Sequence, residues 1–196
     1  MTRRATVTRE TKETRIRIEL DLDTPSAPEV RTGIGFLDHM LVALATHARI
    51  GLTLECDGDL EIDDHHTSED CALALGRALD EALGDRSGIT RFGSALAPLD
   101  EALSRVVVDL SGRPFAHVDL GFTREMIGSI ATENITHVFQ SLAIGSRSTI
   151  HVDLIRGEND HHKAESAFKA LALALRSAIS ITRDPSEVPS TKGTLS

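Results

Sequence analysis

The chain has 196 residues, of which 40% are hydrophobic and 26% charged, and this length allows one domain with a sizeable core. A net charge of −9 with six Phe, no Trp and no Tyr argues against non-specific nucleic-acid or membrane binding and against base-stacking platforms. No apolar run approaches the roughly 18 residues of a membrane span. Two cysteines do not make a disulfide framework, so we expect a cytoplasmic protein in a reducing compartment.

The first half of the chain predicts strands and helices in alternation. Residues 14–23 alternate apolar and charged side chains with period two, which predicts a half-buried strand. Apolar residues at helical spacing follow in 33–48, and 50–56 predicts a second strand. The pattern from 64 to 83 is helical again, and Gly84 is expected to end that helix.

The second half repeats this order. Residues 104–120 predict two strands about a turn at SGRP, and 131–144 predict a helix. A strand is expected over 148–157 and a second long helix over 161–179. The remaining segment, 184–196, is rich in Pro, Ser and Gly and has no periodicity of its own.

One histidine-rich motif, DHHxxE, occurs twice, half a chain apart. His65 and His161 are 96 residues apart, and the same offset relates the histidine and the glutamate that follow them. A lone helical histidine precedes each copy, at His39 and at His137. Two copies indicate a duplication rather than a solenoid, which needs at least three repeats.

The duplication predicts the fold class. We expect an α+β fold of two βαβα-type half-domains, with the helices packed between two β-sheets. The predicted boundaries are a single domain over 1–196, repeats at about 5–92 and 93–183, and a C-terminal tail at 184–196.

The paired histidines favour two metal ions. Successive helical residues point about 100° apart, so adjacent histidines cannot easily bind one ion, whereas residues three or four apart share a face. We therefore expect two sites, each taking one member of each pair and each holding three histidines and one glutamate. The eight predicted ligands are His39, His65, His66, Glu69, His137, His161, His162 and Glu165.

Other interpretations of the motif stay open. The histidines can be surface residues at helix starts, with Asp64 and Asp160 as N-caps, or these aspartates can orient ligand imidazoles. The ligand types do not choose the metal, because imidazole suits Zn, Cu, Fe and Ni whereas carboxylate and water favour Mn.

Five stretches in this order resemble the imidazoleglycerol-phosphate dehydratase family, in its monofunctional form: TGIGFLDHML, DDHHTSEDCALALG, LSGRPF, NDHHKAESAFKAL and PSTKG. The resemblance spans Glu13 to Gly193. It implies a hydro-lyase of histidine biosynthesis that converts D-erythro-imidazole glycerol phosphate to imidazole acetol phosphate. The implied route passes through a di-metal-bound imidazolate and a diazafulvene-like intermediate.

The same resemblance implies the assembly and the cofactor. It implies a fold like ribosomal protein S5 domain 2, two Mn(II) ions per subunit bound by the eight ligands named above, and a homo-oligomer of 24 subunits with active sites between subunits. The expected partner is a small phosphate-bearing substrate, with no nucleic acid and no membrane.

The resemblance also assigns residues at the catalytic centre. The expected carboxylates are Glu13, Glu69 and Glu165, of which Glu69 and Glu165 are metal ligands and Glu13 is the acid/base group that contacts substrate. Asp100 and Glu101 are weaker candidates for that role, because a helix-start position explains them equally well.

Phosphate binding is implied for a set of cations and one hydroxyl: Arg91, Arg113, Lys169, Ser190 and Lys192. An arginine offers a fork that matches phosphate oxygens. Lys169, four residues after Glu165, can instead simply pair with that carboxylate.

Two other functions compete with the dehydratase. A dinuclear metallohydrolase is one, although such sites usually contain a bridging aspartate. A metal-storage or structural shell without catalysis is the other, and it would leave the arginines and the PSTKG segment without a purpose.

Overall fold

A computed structural model describes residues 3–182, 184 and 187–195 of the chain. The first half consists of β1 (Arg4–Glu10), β2 (Thr14–Asp21), β3 (Glu29–Arg31), α1 (Gly35–Ala48), β4 (Gly51–Gly58) and α2 (His65–Leu83). The second half consists of β5 (Phe92–Leu99), β6 (Ala102–Asp109), β7 (Phe115–Asp119), β8 (Met126–Ile127), β9 (Ile130–Ala131), α3 (Thr132–Gly145), β10 (Thr149–Arg156) and α4 (Asp160–Ala178).

The two halves build equivalent four-stranded sheets. The strand orders are β1-β2-β4-β3 and β5-β6-β10-β7, so strands at the same place in each half occupy the same place in each sheet. The third strand of each half pairs in parallel with the strand beside it, and the other sheet pairs are antiparallel. Strands β8 and β9 form a small separate hairpin. The predicted α+β class is confirmed.

Each half contains more strands than a βαβα unit. The sequence pattern does not predict β1, β3 or β5, and all three are edge strands. β1 buries only Val7, β3 has three residues, and β5 buries only Gly93 and Ala97. An edge strand that buries few large apolar side chains gives little periodic signal, which explains the difference.

The turn at SGRP does not join neighbouring strands. β6 and β7 form as expected on either side of it, but β10 lies between them in the sheet. The chain therefore crosses over, and the predicted repeat boundaries at 92 and 93 stay a prediction.

The four helices lie between the two sheets. α2 packs on β1 and β2, α4 packs on β5 and β6, and the helix layers meet as α1 against α4 and α2 against α3. Period-two alternation in β2 directs Ile16, Ile18 and Leu20 into this core, as predicted. Among the described residues, no helix is long and apolar enough to cross a bilayer.

Two glycines let α2 and α3 approach closely. A Cβ added to Gly76 would lie 2.6 Å from the backbone nitrogen of Ser146, and one added to Gly145 would lie 2.3 Å from the carbonyl oxygen of Leu73. The contact is therefore backbone against backbone. It holds α2 close to α3, and both helices carry histidines of the predicted site.

Candidate metal centres and phosphate cleft

The first histidine of each pair joins the lone histidine of the opposite half. His39, His161 and Glu165 form one cluster, the His39 group, whose three donor atoms all lie within 4.8 Å of one another. Glu165 Oε2 is 3.2 Å from Nε2 of His39 and 3.2 Å from Nε2 of His161. Because α1 packs against α4, a histidine of the first half reaches a His–Glu pair of the second.

The second cluster repeats this arrangement with the halves exchanged. His65, Glu69 and His137 form the His65 group, again with donor atoms within 4.8 Å. Glu69 lies 3.6 Å from Nε2 of His65 and 3.4 Å from Nε2 of His137, and the two imidazole rings stack at 5.1 Å. The packing of α2 against α3 produces this cluster.

The donor geometry fits a bound divalent ion. Ligands at about 2.1 Å from one ion at right angles to each other lie about 3 Å apart, close to the spacings of both groups. Nε2 of His137 is buried and has no hydrogen-bond partner within the described part of the chain, although it faces Glu69. A buried imidazole nitrogen aimed into a carboxylate-lined cluster is what a metal ligand requires.

Polar side chains orient the rings of the His65 group. Nδ1 of His65 donates to Asn134 Oδ1 at 2.9 Å, and Asn134 in turn donates to Asp64 at 3.0 Å. Nδ1 of His137 donates to Gln140 Oε1 at 3.2 Å. Donation from Nδ1 leaves the Nε2 lone pair free for a metal, so these contacts select the useful tautomer.

The second histidine of each pair lies outside both groups. Nδ1 of His66 donates to Asp59 at 3.0 Å, and Nδ1 of His162 donates to Glu101 at 2.7 Å. These two carboxylates act on the rings as Asn134 and Gln140 do in the His65 group. Within one chain, each group therefore contains three of the four expected ligands. Each takes a histidine from only one of the two adjacent histidine pairs, not from both as predicted.

A further carboxylate approaches the outward nitrogen of each of these rings. Glu13 Oε1 is 3.8 Å from Nε2 of His66, and Asp100 Oδ2 is 3.9 Å from Nε2 of His162. Both carboxylates lie on the turn between the first two strands of their half. The duplication thus places one turn carboxylate beside each second histidine.

The carboxylates raise the basicity of the second histidines. The hydrogen bond to Asp59 raises the pKa of His66, and the hydrogen bond to Glu101 raises the pKa of His162. The pKa of Glu101 falls to about 2, because the backbone N–H of Asn159 and the ring of His162 donate to it. Glu101 is thus an orienting acceptor and a poor proton carrier.

Glu165 is held in its ionised form. Partial burial acts to raise its pKa, but hydrogen bonds from Lys169 and His39 outweigh this effect and the pKa is about 2. Lys169 Nζ lies 2.7 Å from Glu165 Oε1. The simple pairing of Lys169 with Glu165 is therefore observed.

Four of the five predicted phosphate ligands line one cleft of about 610 Å³: Arg91, Arg113, Ser190 and Lys192. Arg91 donates to both carboxylate oxygens of Asp109, at 2.7 and 3.1 Å, and to the carbonyl oxygen of Pro189 at 2.7 Å. Its guanidinium also covers the ring of Phe92 at 4.5 Å. Lys169 does not line this cleft.

The cleft and the metal groups lie at opposite ends of α4. The backbone N–H of Arg91 donates to the carbonyl oxygen of Ala178, the last residue of α4, whereas His161 and His162 lie in its first turn. Sixteen residues separate His162 from Ala178, which corresponds to about 24 Å at 1.5 Å per residue. No small substrate reaches across that distance within one chain.

The alternative N-cap role of the two aspartates holds for Asp64 by position only and does not hold for Asp160. Asp64 stands at the N-cap position of α2 but makes no cap hydrogen bond. Its carboxylate instead accepts hydrogen bonds from the side chain of Asn134 and the backbone N–H of Ala131. Asn159 caps α4, while Asp160 is buried against Lys163. Asp64 orients a ligand imidazole only indirectly, through Asn134.

Several residues of the site have no sequence signal of their own. Asp59, Asn134, Gln140 and Asp109 become part of it only through tertiary packing. Asn134 and Gln140 are each three residues from His137, a spacing that places them near its face of the helix and was the one available hint.

A sequence model of the imidazoleglycerol-phosphate dehydratase family matches residues 32–175, more than half of the chain. The chain belongs to the imidazoleglycerol-phosphate dehydratase family. The dehydratase of Phaffia rhodozyma is 59% identical, over 98% of this chain and 96% of the relative. That of Eremothecium gossypii is 62% identical, over 85% of this chain and 75% of the relative.

Solved structures agree with the family assignment. The imidazoleglycerol-phosphate dehydratase of Staphylococcus aureus superposes with a TM-score of 0.83 at 37% identity, covering 91% of this chain and 99% of that one. The Pyrococcus furiosus enzyme, solved in complex with (S)-C348, superposes with a TM-score of 0.83 at 39% identity, covering 96% and 100%. The fold of the dehydratase family is thus shared over nearly the whole chain.

Proposed function

We propose that this chain removes water from D-erythro-imidazole glycerol phosphate to give imidazole acetol phosphate, in histidine biosynthesis, with two Mn(II) ions per subunit. The observation that carries the proposal is the pair of three-donor groups, each built from both halves, in a chain of the dehydratase family. The enzyme would act in the cytoplasm as a homo-oligomer.

The metal ligands divide between the groups. His39, His161 and Glu165 would hold one ion, and His65, Glu69 and His137 the other. His66 and His162 point away from both groups of their own chain, so each is available to complete a group of a neighbouring subunit. When bound, the divalent ions supply Lewis acidity to the ring nitrogens of the substrate and lower its N–H pKa.

Glu13 is the residue proposed to take the carbon-bound proton. Its carboxylate is half-exposed on the turn between β1 and β2 and belongs to neither donor group. A general base must lie within hydrogen-bond reach of the proton it removes. Glu13 Oε1 lies 3.8 Å from Nε2 of His66, which is proposed to complete a donor group of a neighbouring subunit. Glu69 and Glu165 act at the centre as metal ligands.

The cleft is proposed to bind the phosphate. Arg91 and Arg113 supply guanidinium forks, and Ser190 and Lys192 close the cleft from the C-terminal segment. Asp109 fixes the orientation of Arg91 at 2.7 Å, and it also lies 3.9 Å from the guanidinium of Arg113. Lys169 contributes at the metal end, where it holds Glu165.

The dimensions of the chain support the proposal that active sites lie between subunits. A substrate with an imidazole, three carbons and a phosphate is on the order of 10 Å long, given bonds near 1.5 Å. The metal end and the cleft of one chain are about 24 Å apart along α4. A site formed by the metal end of one subunit and the cleft of another would match the length of the substrate, which supports the proposed homo-oligomer. The number of 24 subunits is proposed from the family resemblance.

Turnover with and without metal tests the proposal. Protein stripped by a chelator should not convert imidazole glycerol phosphate to the ketone, and Mn(II) should restore conversion with about two ions bound per chain. Arg113→Ala should keep its metal but lose turnover at substrate concentrations that saturate the unmodified enzyme. Metal-independent turnover, or one ion per chain at full activity, would contradict the proposal.

A further inference from the structure

A buried carboxylate connects the metal-binding helix α2 to the turn that carries Glu13. Asp70 follows the metal ligand Glu69 directly, yet its side chain points the other way and is only 7% exposed. Its Oδ2 accepts a 2.6 Å hydrogen bond from the hydroxyl of Thr14, and its Oδ1 accepts a 2.7 Å hydrogen bond from Arg9. α2 is thereby attached to β1 and to the first residue of β2.

The hydrogen bonds continue from Thr14 to the backbone of Glu13. The hydroxyl of Thr11 lies 3.3 Å from that of Thr14 and accepts hydrogen bonds from the N–H of Glu13 at 3.1 Å and of Thr14 at 2.9 Å. On the other side, the carbonyl oxygen of Glu13 accepts from the N–H of Asp59 at 3.1 Å. The backbone of Glu13 is thus held from both sides while its carboxylate stays exposed.

A buried carboxylate needs a reason to stay in the core. Burying such a polar group is costly, and two good hydrogen-bond donors offset that cost only when the geometry is well defined. A turn that needed only to close could do so with its own hydrogen bonds, such as that from Thr11 N–H to Thr14 oxygen. The hydrogen bond from Thr14 to Asp70 also fixes the distance between this turn and α2, the helix of His65, His66 and Glu69.

We propose that Asp70, acting through the hydroxyl of Thr14, is a positioning residue that fixes the Glu13 turn relative to the metal-binding turn of α2. The inference rests on the proposed function, in which Glu13 takes the proton. Catalysis is sensitive to such placement, because a misplacement near 1 Å can lower the rate on the order of 100-fold.

Thr14→Val removes the hydroxyl and keeps the shape of the side chain. We expect kcat to fall by roughly 10- to 100-fold while KM and bound metal stay close to those of the unmodified enzyme. Thr14→Ser restores the hydroxyl and should restore most of kcat. Thr11→Ala, at an exposed position, removes the acceptor of the Glu13 and Thr14 N–H groups and should lower kcat in the same direction.

A double-mutant cycle with Glu13→Gln separates positioning from general stability. If Thr14 acts through Glu13, Thr14→Val should change the residual kcat of Glu13→Gln by less than about twofold. An equal loss in both backgrounds, no loss in either, or loss of bound metal in Thr14→Val would overturn the inference. If Glu13→Gln alone kept full kcat, the proposed role of Glu13 would fail first, and the positioning role would fall with it.

Discussion

At the residue scale, the two histidines of each adjacent pair point in different directions and contact different carboxylates. The first histidine faces a glutamate one turn further along the same helix, and the second faces a carboxylate from another part of the chain. The angle between neighbouring helical side chains produces this division. Asp59 and Glu101 then orient the outward rings, which makes their carboxylates as necessary as the ligands themselves.

Replacing Glu101 with Gln tests the orienting role. The amide cannot supply the negative charge that raises the pKa of His162, so this pKa should move down toward 6.5 in metal-free protein. The affinity for Mn(II) should also fall by about 10- to 100-fold, because the ring is less firmly held. NMR titration of His162 and Mn(II) titration of stripped protein measure the two effects.

The pH dependence of metal binding provides the companion measurement. A raised pKa keeps the His66 and His162 rings protonated to a higher pH, and only neutral imidazole binds metal. As the pH is lowered, the affinity for Mn(II) should therefore begin to fall while the pH is still above 6.5. Glu158→Gln, at an exposed neighbouring position, is the control, and an identical decline in Glu101→Gln would argue against the assignment.

At the element scale, the start of α4 is fixed by a buried ion pair. Asp160 accepts hydrogen bonds from Lys163 and from the backbone N–H groups of Thr123 and Arg124, and Lys163 also donates to the carbonyl oxygen of Gly121. Burial acts to raise the pKa of Asp160, but these hydrogen bonds, above all that from Lys163, lower it to about 2. The pair ties the loop after β7 to the first turn of α4.

Asp160→Asn should destabilise the fold strongly. Lys163 would remain buried without its counter-charge, and breaking one side of a buried pair costs about 3 kcal/mol of unfolding free energy. Chemical denaturation measures this loss. Arg17→Gln breaks the exposed pair with Glu19 and should cost less than about 1 kcal/mol; equal losses in the two variants would show that Asp160 has no special role.

The contact of α2 with α3 allows a second prediction at this scale. Gly76→Ala would push a methyl group into the backbone at Ser146, so the helices must separate. We expect a loss of about 1 to 3 kcal/mol in stability and weaker metal binding by the His65 group, whose ligands lie on both helices. Thermal unfolding and Mn(II) titration measure these changes.

Gly35→Ala is the matched control for Gly76→Ala. A Cβ at Gly35, in the first turn of α1, meets no atom within 4 Å. Stability and metal binding should therefore stay near those of the unmodified chain. Retention of full metal affinity by Gly76→Ala would show that the helix contact does not set the His65 group.

The helices and the central strands were predictable because their periodicity is strong. β2 alternates cleanly, and the helical motifs around His65 and His161 repeat at equal spacing. The edge strands β1, β3 and β5 were not predicted, and each buries few large apolar side chains. The grouping of ligands was only partly predictable, because the exchange of His39 and His137 between halves depends on which helices pack together.

At the scale of the whole molecule, the two parts of one proposed site lie near opposite ends of α4. The metal groups lie at the start of α2 and α4, and the cleft of Arg91 and Arg113 lies beyond the end of α4. A single chain therefore does not place both around one substrate, and on the proposed function a neighbouring subunit would supply the other part.

Mixing two inactive variants tests this division. Glu13→Gln damages the metal end and Arg113→Ala damages the cleft, so each homogeneous assembly should be nearly inactive. Mixed assemblies, formed by unfolding and refolding the two together, should regain up to roughly a quarter of the activity, because some sites combine an intact metal end with an intact cleft. Assays of the separately refolded variants are the control, and no regain in verified mixed assemblies would place the whole site in one chain.

Each lone histidine completes the donor group of the opposite half, and this has a consequence for the origin of the chain. Neither half contains a complete donor group, since His39 needs α4 and His137 needs α2. Two identical half-length ancestors, related by a two-fold axis, would have formed both groups at once from equivalent residues. The segment between α2 and β5 now joins two halves, each of which needs the other to complete a donor group.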